Sequence, residues 1–134
     1  MSVDYSQLVP GQEISSRTFV MDGDAVARYR EAVGDTNLVR SADGQQELAP
    51  AMAVAALSLG GVINDLKIPG GTVHAGQELE FTSAVAVGET LACSALLAQN
   101  SVRGEWRFLV VNLKVNNSEG RSVMSGKSTI MLPV

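Results

Sequence analysis

The sequence offers few groups able to do chemistry. Asp35 and Asn37 lie in Gly34-Asp35-Thr36-Asn37, just beyond a stretch with helical spacing. Asp35 could serve as an acid–base group or cap the turn beside Gly34, and Asn37 reads equally as a turn residue. His74 is the one histidine, the side chain whose ordinary titration range spans neutral pH. On the polar face of a strand, solvation or a neighbouring hydrogen bond also explains it. Arg40 cannot act as a base, because arginine does not deprotonate in proteins, but it could hold a phosphate or carboxylate. Glu47 precedes a long apolar segment, where it could stabilise a helix start through the dipole. Asp43 and Asp65 are further carboxylates near that segment. Ala51 and Met52 would bring backbone N–H groups to the helix start, as every helix start does, whereas Pro50 has none. One histidine and one cysteine make no metal cluster without many carboxylates. Gly70-Gly71 is a lone turn pair rather than a phosphate-cradling loop. Neither metal nor cofactor is expected.

The whole chain sets the frame for these residues. Its 134 residues are one domain's worth, expected to span 1–134, and 46% are hydrophobic against 18% charged. That balance is globular, with only 4% aromatic residues, so Val, Leu, Ala, Ile and Met must build the core. A net charge of -4 without a Lys/Arg cluster argues against nucleic acid as a partner. Cys93 is the only cysteine, so no intrachain disulfide can form and a reducing compartment is expected. Its neighbours Leu91, Ala92, Ser94 and Ala95 read as a buried strand, which makes it a packed thiol. The first residues lack the pattern of a signal peptide, and no stretch is long and apolar enough to span a bilayer. A cytoplasmic protein off the membrane is expected.

The elements follow from periodicity. Gly11 to Met21 reads as a strand. Ala25, Val26, Tyr29, Ala32 and Val33 form one face of a helix with Asp22 or Asp24 as N-cap and Gly34 as its left-handed end. Ser41 to Glu47 reads as a loop, and Pro50 suits the first turn of a helix. From Ala51 to about Leu66 the residues are small and apolar nearly all round, which predicts a buried central helix. Gly60-Gly61 costs helix propensity unless close packing needs the missing side chains. Four strands follow. Thr72 to Val85 places Val73, Ala75, Leu79 and Phe81 on one face and His74, Glu78 and Glu80 on the other. Thr90 to Gln99 comes next, then Glu105 to Val115, with Leu109, Val111, Leu113 and Val115 sharing a face. Asn117-Ser118-Glu119-Gly120 is a hairpin signal before Val123 to Leu132. This order predicts an α+β design, a curled sheet of about five strands around one helix. So small a sheet leaves an open edge, and pairing edges across a two-fold axis predicts a dimer.

The order of Gly34-Asp35-Thr36-Asn37, Ala49-Pro50, the run Val73-His74-Ala75-Gly76-Gln77-Glu78-Leu79-Glu80-Phe81 and Val87-Gly88-Glu89-Thr90-Leu91 resembles the MaoC-like hydratases and dehydratases. The likeness is nearest their N-terminal, fatty-acid-synthase-like half-domains and covers roughly residues 10 to 132. It implies a hot-dog fold, acyl thioesters of coenzyme A or acyl carrier protein as substrates, and a homodimer or a heterodimer with a second hot-dog subunit. Catalytic members carry Gly-Asp-x-Asn-Pro-x-His after the first helix. There Asp and His activate the water that adds across an enoyl thioester, and N–H groups at the central helix start polarise the thioester carbonyl.

Asp35 and Asn37 match that motif, but Leu38 holds the proline position and Arg40 the histidine position. Only nine residues separate Arg40 from Pro50, a short stretch for the lobe that catalytic members place there. The resemblance therefore implies a non-catalytic or partner-dependent subunit of this class. Arg40, Glu47, Ala51 and Met52 are its candidate substrate contacts; Asp35, Asn37 and His74 are its candidate catalytic groups. Alternatives are an active hydratase or thioesterase using Asp35 or Glu47 with His74, or a thioester-binding module without a reaction. Trp106, Phe108 and Val110 could line an acyl tunnel.

Overall fold

The computed structural model describes residues 3–134, so Met1 and Ser2 of the domain drawn over 1–134 lie outside it. A short 3-10 turn at Tyr5–Gln7 leads into β1 (Glu13–Val20). Asp22 then caps α1 (Gly23–Val33) by accepting a hydrogen bond from the Ala25 N–H at 2.8 Å. Gly34 ends α1 at φ 71°, a left-handed conformation that costs glycine nothing. The segment read as a loop holds a small ladder: β2 (Val39–Arg40) pairs with β3 (Glu47–Leu48) around Gly44 at φ 72°. Two-residue strands give no periodic signal, which is why they escape a sequence reading. Pro50 is the N-cap of α2 (Ala51–Asp65), one residue before the first turn.

Four long strands follow: β4 (Val73–Phe81), β5 (Thr90–Arg103), β6 (Trp106–Asn117) and β7 (Ser122–Pro133). They join β1 in one antiparallel sheet ordered β1-β5-β6-β7-β4. The β6–β7 hairpin closes as its sequence signalled. The Asn117 side chain accepts from the N–H groups of Glu119 and Arg121 at 3.0 Å each, and Gly120 takes φ 78°. Leu109, Val111, Leu113 and Val115 are all buried, as their alternation required, and meet Leu91, Ala95 and Leu97 of β5.

Two expectations need correction. Residues 82–85 do not continue β4, because Thr82 and Ser83 both turn their hydroxyls to the Ser122 carbonyl, at 2.8 and 3.0 Å. More consequentially, α2 is not buried all round. Ala53, Val54, Ala55, Ser58 and Val62 enter the core, but Met52, Leu57 and Ile63 are each at least 40% exposed. The helix packs toward β1 and β6 and leaves an apolar stripe open. Gly61 does have a packing reason, since the Arg17 side chain crosses it within 3.0 Å of where a Cβ would stand. Gly60 meets nothing there and lies on the open side.

Arg17 continues past Gly61 to Asp65, donating from Nε at 3.2 and 3.1 Å and from Nη2, while Ser15 Oγ donates at 2.5 Å. The Arg17 bonds, then the Ser15 bond, lower the Asp65 carboxyl from 3.8 to about 2. A carboxylate lowered on folding stabilises above its unfolded value and loses that contribution as pH falls toward the folded one. Both side chains remain partly exposed, so solvent screening keeps the effect small. Asp65→Asn is expected to cost about 0.5–1 kcal/mol at pH 7, with the gap to the parent closing between about pH 4 and pH 2. Denaturant melts across that range check it, and a gap that stayed constant would contradict the assignment.

Candidate functional site

Beside the first turn of α2 lies a cavity of about 450 Å³. Its floor comes from Ala51 and Val54 of α2, one wall from Val39, Leu48 and Pro50, and the other from Phe81 to Val85. The backbone holds these walls together, because the Ala49 N–H donates to the Val85 carbonyl at 2.8 Å and the Val87 N–H to Glu47 at 2.9 Å. No side chain caps α2, so its start presents only backbone N–H groups and the positive end of the dipole. Among the described residues Thr82 and Ser83 are the only polar side chains lining the cavity, and both hydroxyls already donate to the Ser122 carbonyl. None of its lining side chains is an acid, a base or a permanent charge. Such a cavity suits an apolar chain whose polar end meets a helix N-terminus.

The candidate residues are not gathered there. Ala51 lines the cavity, while Met52 is 47% exposed on the open stripe of α2. Asp35 accepts the Asn37 N–H at 2.9 Å, and its own N–H donates to the Arg30 carbonyl at 2.9 Å. The pair thus forms an Asx turn behind Gly34. Arg40 is exposed on β2, directly opposite Glu47 on β3.

Glu47 has a partner that the sequence did not reveal. Arg30 Nη1 of α1 donates to its Oε1 at 3.3 Å. The Arg30 side chain is 12% exposed, and its buried Nε and Nη2 have no hydrogen-bond partner among the described residues. Helical spacing marked this face of α1 but could not show which loop would fold over it. Asp43 caps its own turn, accepting from Ser41 Oγ at 2.5 Å and the Gln45 N–H at 2.9 Å, which lowers its carboxyl below the usual range. Cys93 is buried, and burial pushes its thiol up.

His74 stands at the opposite end of β4 from Phe81, roughly 23 Å along the strand at ~3.3 Å per residue. A bulge also moves it off the face expected for it. His74 is opposite Ile130 and Gly76 opposite Thr129, so Ala75 is an extra residue. Ile130 belongs to the core, so His74 points to the same face as Gln77, Leu79 and Phe81, whose partners are Ser128, Gly126 and Met124. Alternation alone put it with Glu78 and Glu80. Trp106 and Phe108 lie away from the cavity: Trp106 flanks a cleft with Pro133, and Phe108 carries the Arg103 guanidinium 5.7 Å from its ring centre. Among the described residues no His/Cys/Asp/Glu group could hold a metal ion, and no helix is long and apolar enough to cross a membrane.

The family model described as "FAS1-like, dehydratase domain region" matches residues 8–126. No curated protein sequence matches significantly. Among solved structures, the R-hydratase PhaJ1 from Pseudomonas aeruginosa superposes with a TM-score of 0.80 at 23% identity, covering 98% of this chain and 86% of that one. An (R)-hydratase from A. caviae involved in PHA biosynthesis gives 0.79 at 19% identity over 95% and 98% of the two chains. The HadBC (3R-hydroxyacyl-ACP dehydratase) complex from Mycobacterium tuberculosis gives 0.68 at 17% identity over 90% and 98%. These likenesses establish the hot-dog fold.

Proposed function

This chain belongs to the family of FAS1-like dehydratase regions, and from that premise we propose that it is a partner-dependent hot-dog subunit of the enoyl-thioester hydratase/3-hydroxyacyl-thioester dehydratase class. It binds the acyl group of a coenzyme A or acyl-carrier-protein thioester in the cavity beside α2, and the acid–base groups come from outside its own pocket. The observation that carries this reading is the cavity itself: an uncapped helix start over an apolar hollow whose lining holds no titratable side chain. The thioester oxygen would face the N–H groups of Ala51 and Met52, where developing negative charge is favoured. A hydratase or thioesterase working within one chain would need Asp35 or Glu47 beside His74. Instead Asp35 closes a turn, Glu47 is paired with Arg30, and His74 is a strand length from the cavity.

A dimer belongs to the same proposal. The exposed apolar stripe of α2 and the open edge of β4 are each surface of the kind that subunits cover. Dehydratases of this fold occur as complexes, HadBC among them. A lone buried cysteine suits the reducing cytoplasm.

The test is calorimetric titration of the purified chain with free coenzyme A, crotonyl-CoA and a longer trans-2-enoyl-CoA. Each apolar carbon placed in the cavity adds about 0.8 kcal/mol, so affinity is expected to rise from coenzyme A to the longer enoyl thioester. Equal affinity for all three would remove the acyl-pocket reading.

A further inference from the structure

We infer that Arg30, Glu47 and Arg40 form a binding site for a phosphoryl group, on the side of the β2–β3 ladder turned away from the acyl cavity. The site stands apart from the acyl-pocket reading and does not rest on it. Successive residues of a strand point to opposite faces. Val39 and Leu48 are paired across the ladder, and both line the acyl cavity. Arg40 and Glu47, the neighbouring pair, therefore share the other face. There Glu47 borders a second cavity, of about 310 Å³, together with Gly23, Val26, Ala27 and Arg30 of α1.

The Arg30 guanidinium calls for a ligand in this place. Its Nη1 donates to Glu47 at 3.3 Å, whereas its Nε and Nη2 have no partner among the described residues. Those two nitrogens form one edge of the guanidinium, whose parallel N–H groups match two oxygens of a carboxylate or phosphate. Arg17 shows the same edge in use, with Nε and Nη2 both donating to the Asp65 carboxylate. An unmet edge on a buried guanidinium costs free energy that an oxyanion recovers. Bulk water does not reach the Arg30 edge. Completing it therefore takes an occupant that enters the cavity and draws the guanidinium toward itself.

Charge and shape select that occupant. The Arg40 side chain is exposed and makes no hydrogen bond or ion pair among the described residues. Cross-strand neighbours have Cβ atoms about 4.5–5.5 Å apart, so Arg40 and Arg30 both reach the surroundings of Glu47. Two guanidiniums then flank one carboxylate, which leaves a net positive charge. A carboxylate ligand has two oxygens, and one guanidinium edge uses both. A phosphoryl group has three, enough to bridge Arg30 and Arg40 at once.

Gly23, Val26, Ala27 and Arg30 recur at the spacing of one helix face. Seven residues at ~1.5 Å each make that face about 10 Å long. Asp22 and Asp24 stand at its N-terminal end, so the anion belongs at the Arg30 end. Val26 and Ala27 supply an apolar wall beyond it. Gly23 keeps the far end open, with nothing within 4 Å of where a Cβ would stand. The ligand is thus an organic phosphate, its phosphoryl group between the arginines and its body along α1. Two sources carry that group: the phosphates of a thioester's carrier, or a separate phosphate ester.

Proton–nitrogen NMR of the arginine Nε–H groups reads the site, with Arg30→Met assigning the Arg30 signal. Inorganic phosphate is expected to shift that signal, while Arg17, whose edge Asp65 already fills, keeps its position. Arg40→Met is expected to weaken phosphate about tenfold or more, the factor for losing a charge-assisted hydrogen bond. Glu47→Gln keeps an acceptor for Nη1 but removes the negative charge, so phosphate is expected to bind severalfold tighter. A pair that merely held α1 to the ladder would give no such gain. An Arg30 signal that stays still at about 10 mM phosphate, where a millimolar site is mostly filled, would overturn the inference. So would equal movement of the Arg17 signal, which marks a general salt effect, or unchanged affinity in Arg40→Met or Glu47→Gln. Coenzyme A and pantetheine separate the sources. If coenzyme A moves the Arg30 signal and pantetheine does not, the carrier's phosphate occupies the site. If inorganic phosphate moves it and coenzyme A does not, the ligand is a separate phosphate ester. Equal affinity for free coenzyme A and its enoyl thioesters would remove the acyl-pocket reading and leave the phosphoryl site standing.

Discussion

Ala84→Trp is expected to weaken binding of crotonyl-CoA on the order of 100-fold while the chain stays folded. Ala84 is exposed, lies between β4 and β5 outside any regular element, and lines the cavity beside α2. An indole there occupies acyl space without displacing core side chains. Excluding the three carbons beyond the thioester carbonyl forfeits about 0.8 kcal/mol each, roughly 2.5 kcal/mol together. At 1.4 kcal/mol per tenfold that approaches two orders of magnitude. Calorimetric titration reads the loss, and a denaturant melt run alongside should shift little. Undiminished affinity in a folded variant would place the acyl group elsewhere.

Glu47→Ala is expected to destabilise the chain by about 1–3 kcal/mol, the cost of stranding a buried polar group. Arg30 is 12% exposed, and Glu47 supplies the one acceptor its guanidinium has among its hydrogen bonds, at 3.3 Å. Two of its nitrogens are already without partners, so no second acceptor takes over the charge. The converse substitution, Arg30→Met, is expected to cost less. Methionine keeps the packing of the stem, and Glu47, 36% exposed, can return to water. Chemical denaturation of both variants measures the asymmetry. Equal losses would mean that the pair, rather than the burial of one charge, sets the energy.

The elements were legible because their signals are local. Asp22 and Gly34 bracket α1 by side-chain and backbone chemistry that operates within a few residues. Alternation over Leu109 to Val115 fixed one face of β6, and the tract after Asn117 fixed its hairpin. The family resemblance likewise rests on short tracts in order, and the match to residues 8–126 agrees with it.

The site was legible only in part. That His74 is the one histidine, and that the loop after α1 carries Arg40 and no histidine, can be read from the sequence itself. Glu47 is different, because its meaning depends on Arg30, seventeen residues earlier in the chain. Hydrophobic spacing carries no information about which loop folds over a helix face.

What the sequence determined by itself is therefore the order and type of the long elements, the apolar character of α2 and the absence of a histidine from the loop after α1. Tertiary structure decided which flank of α2 stays open, since composition tells that a helix avoids water but not which partner covers it. It also decided the face of His74. One extra residue at Ala75 reverses the alternation beyond it, and that bulge exists only in the register between β4 and β7.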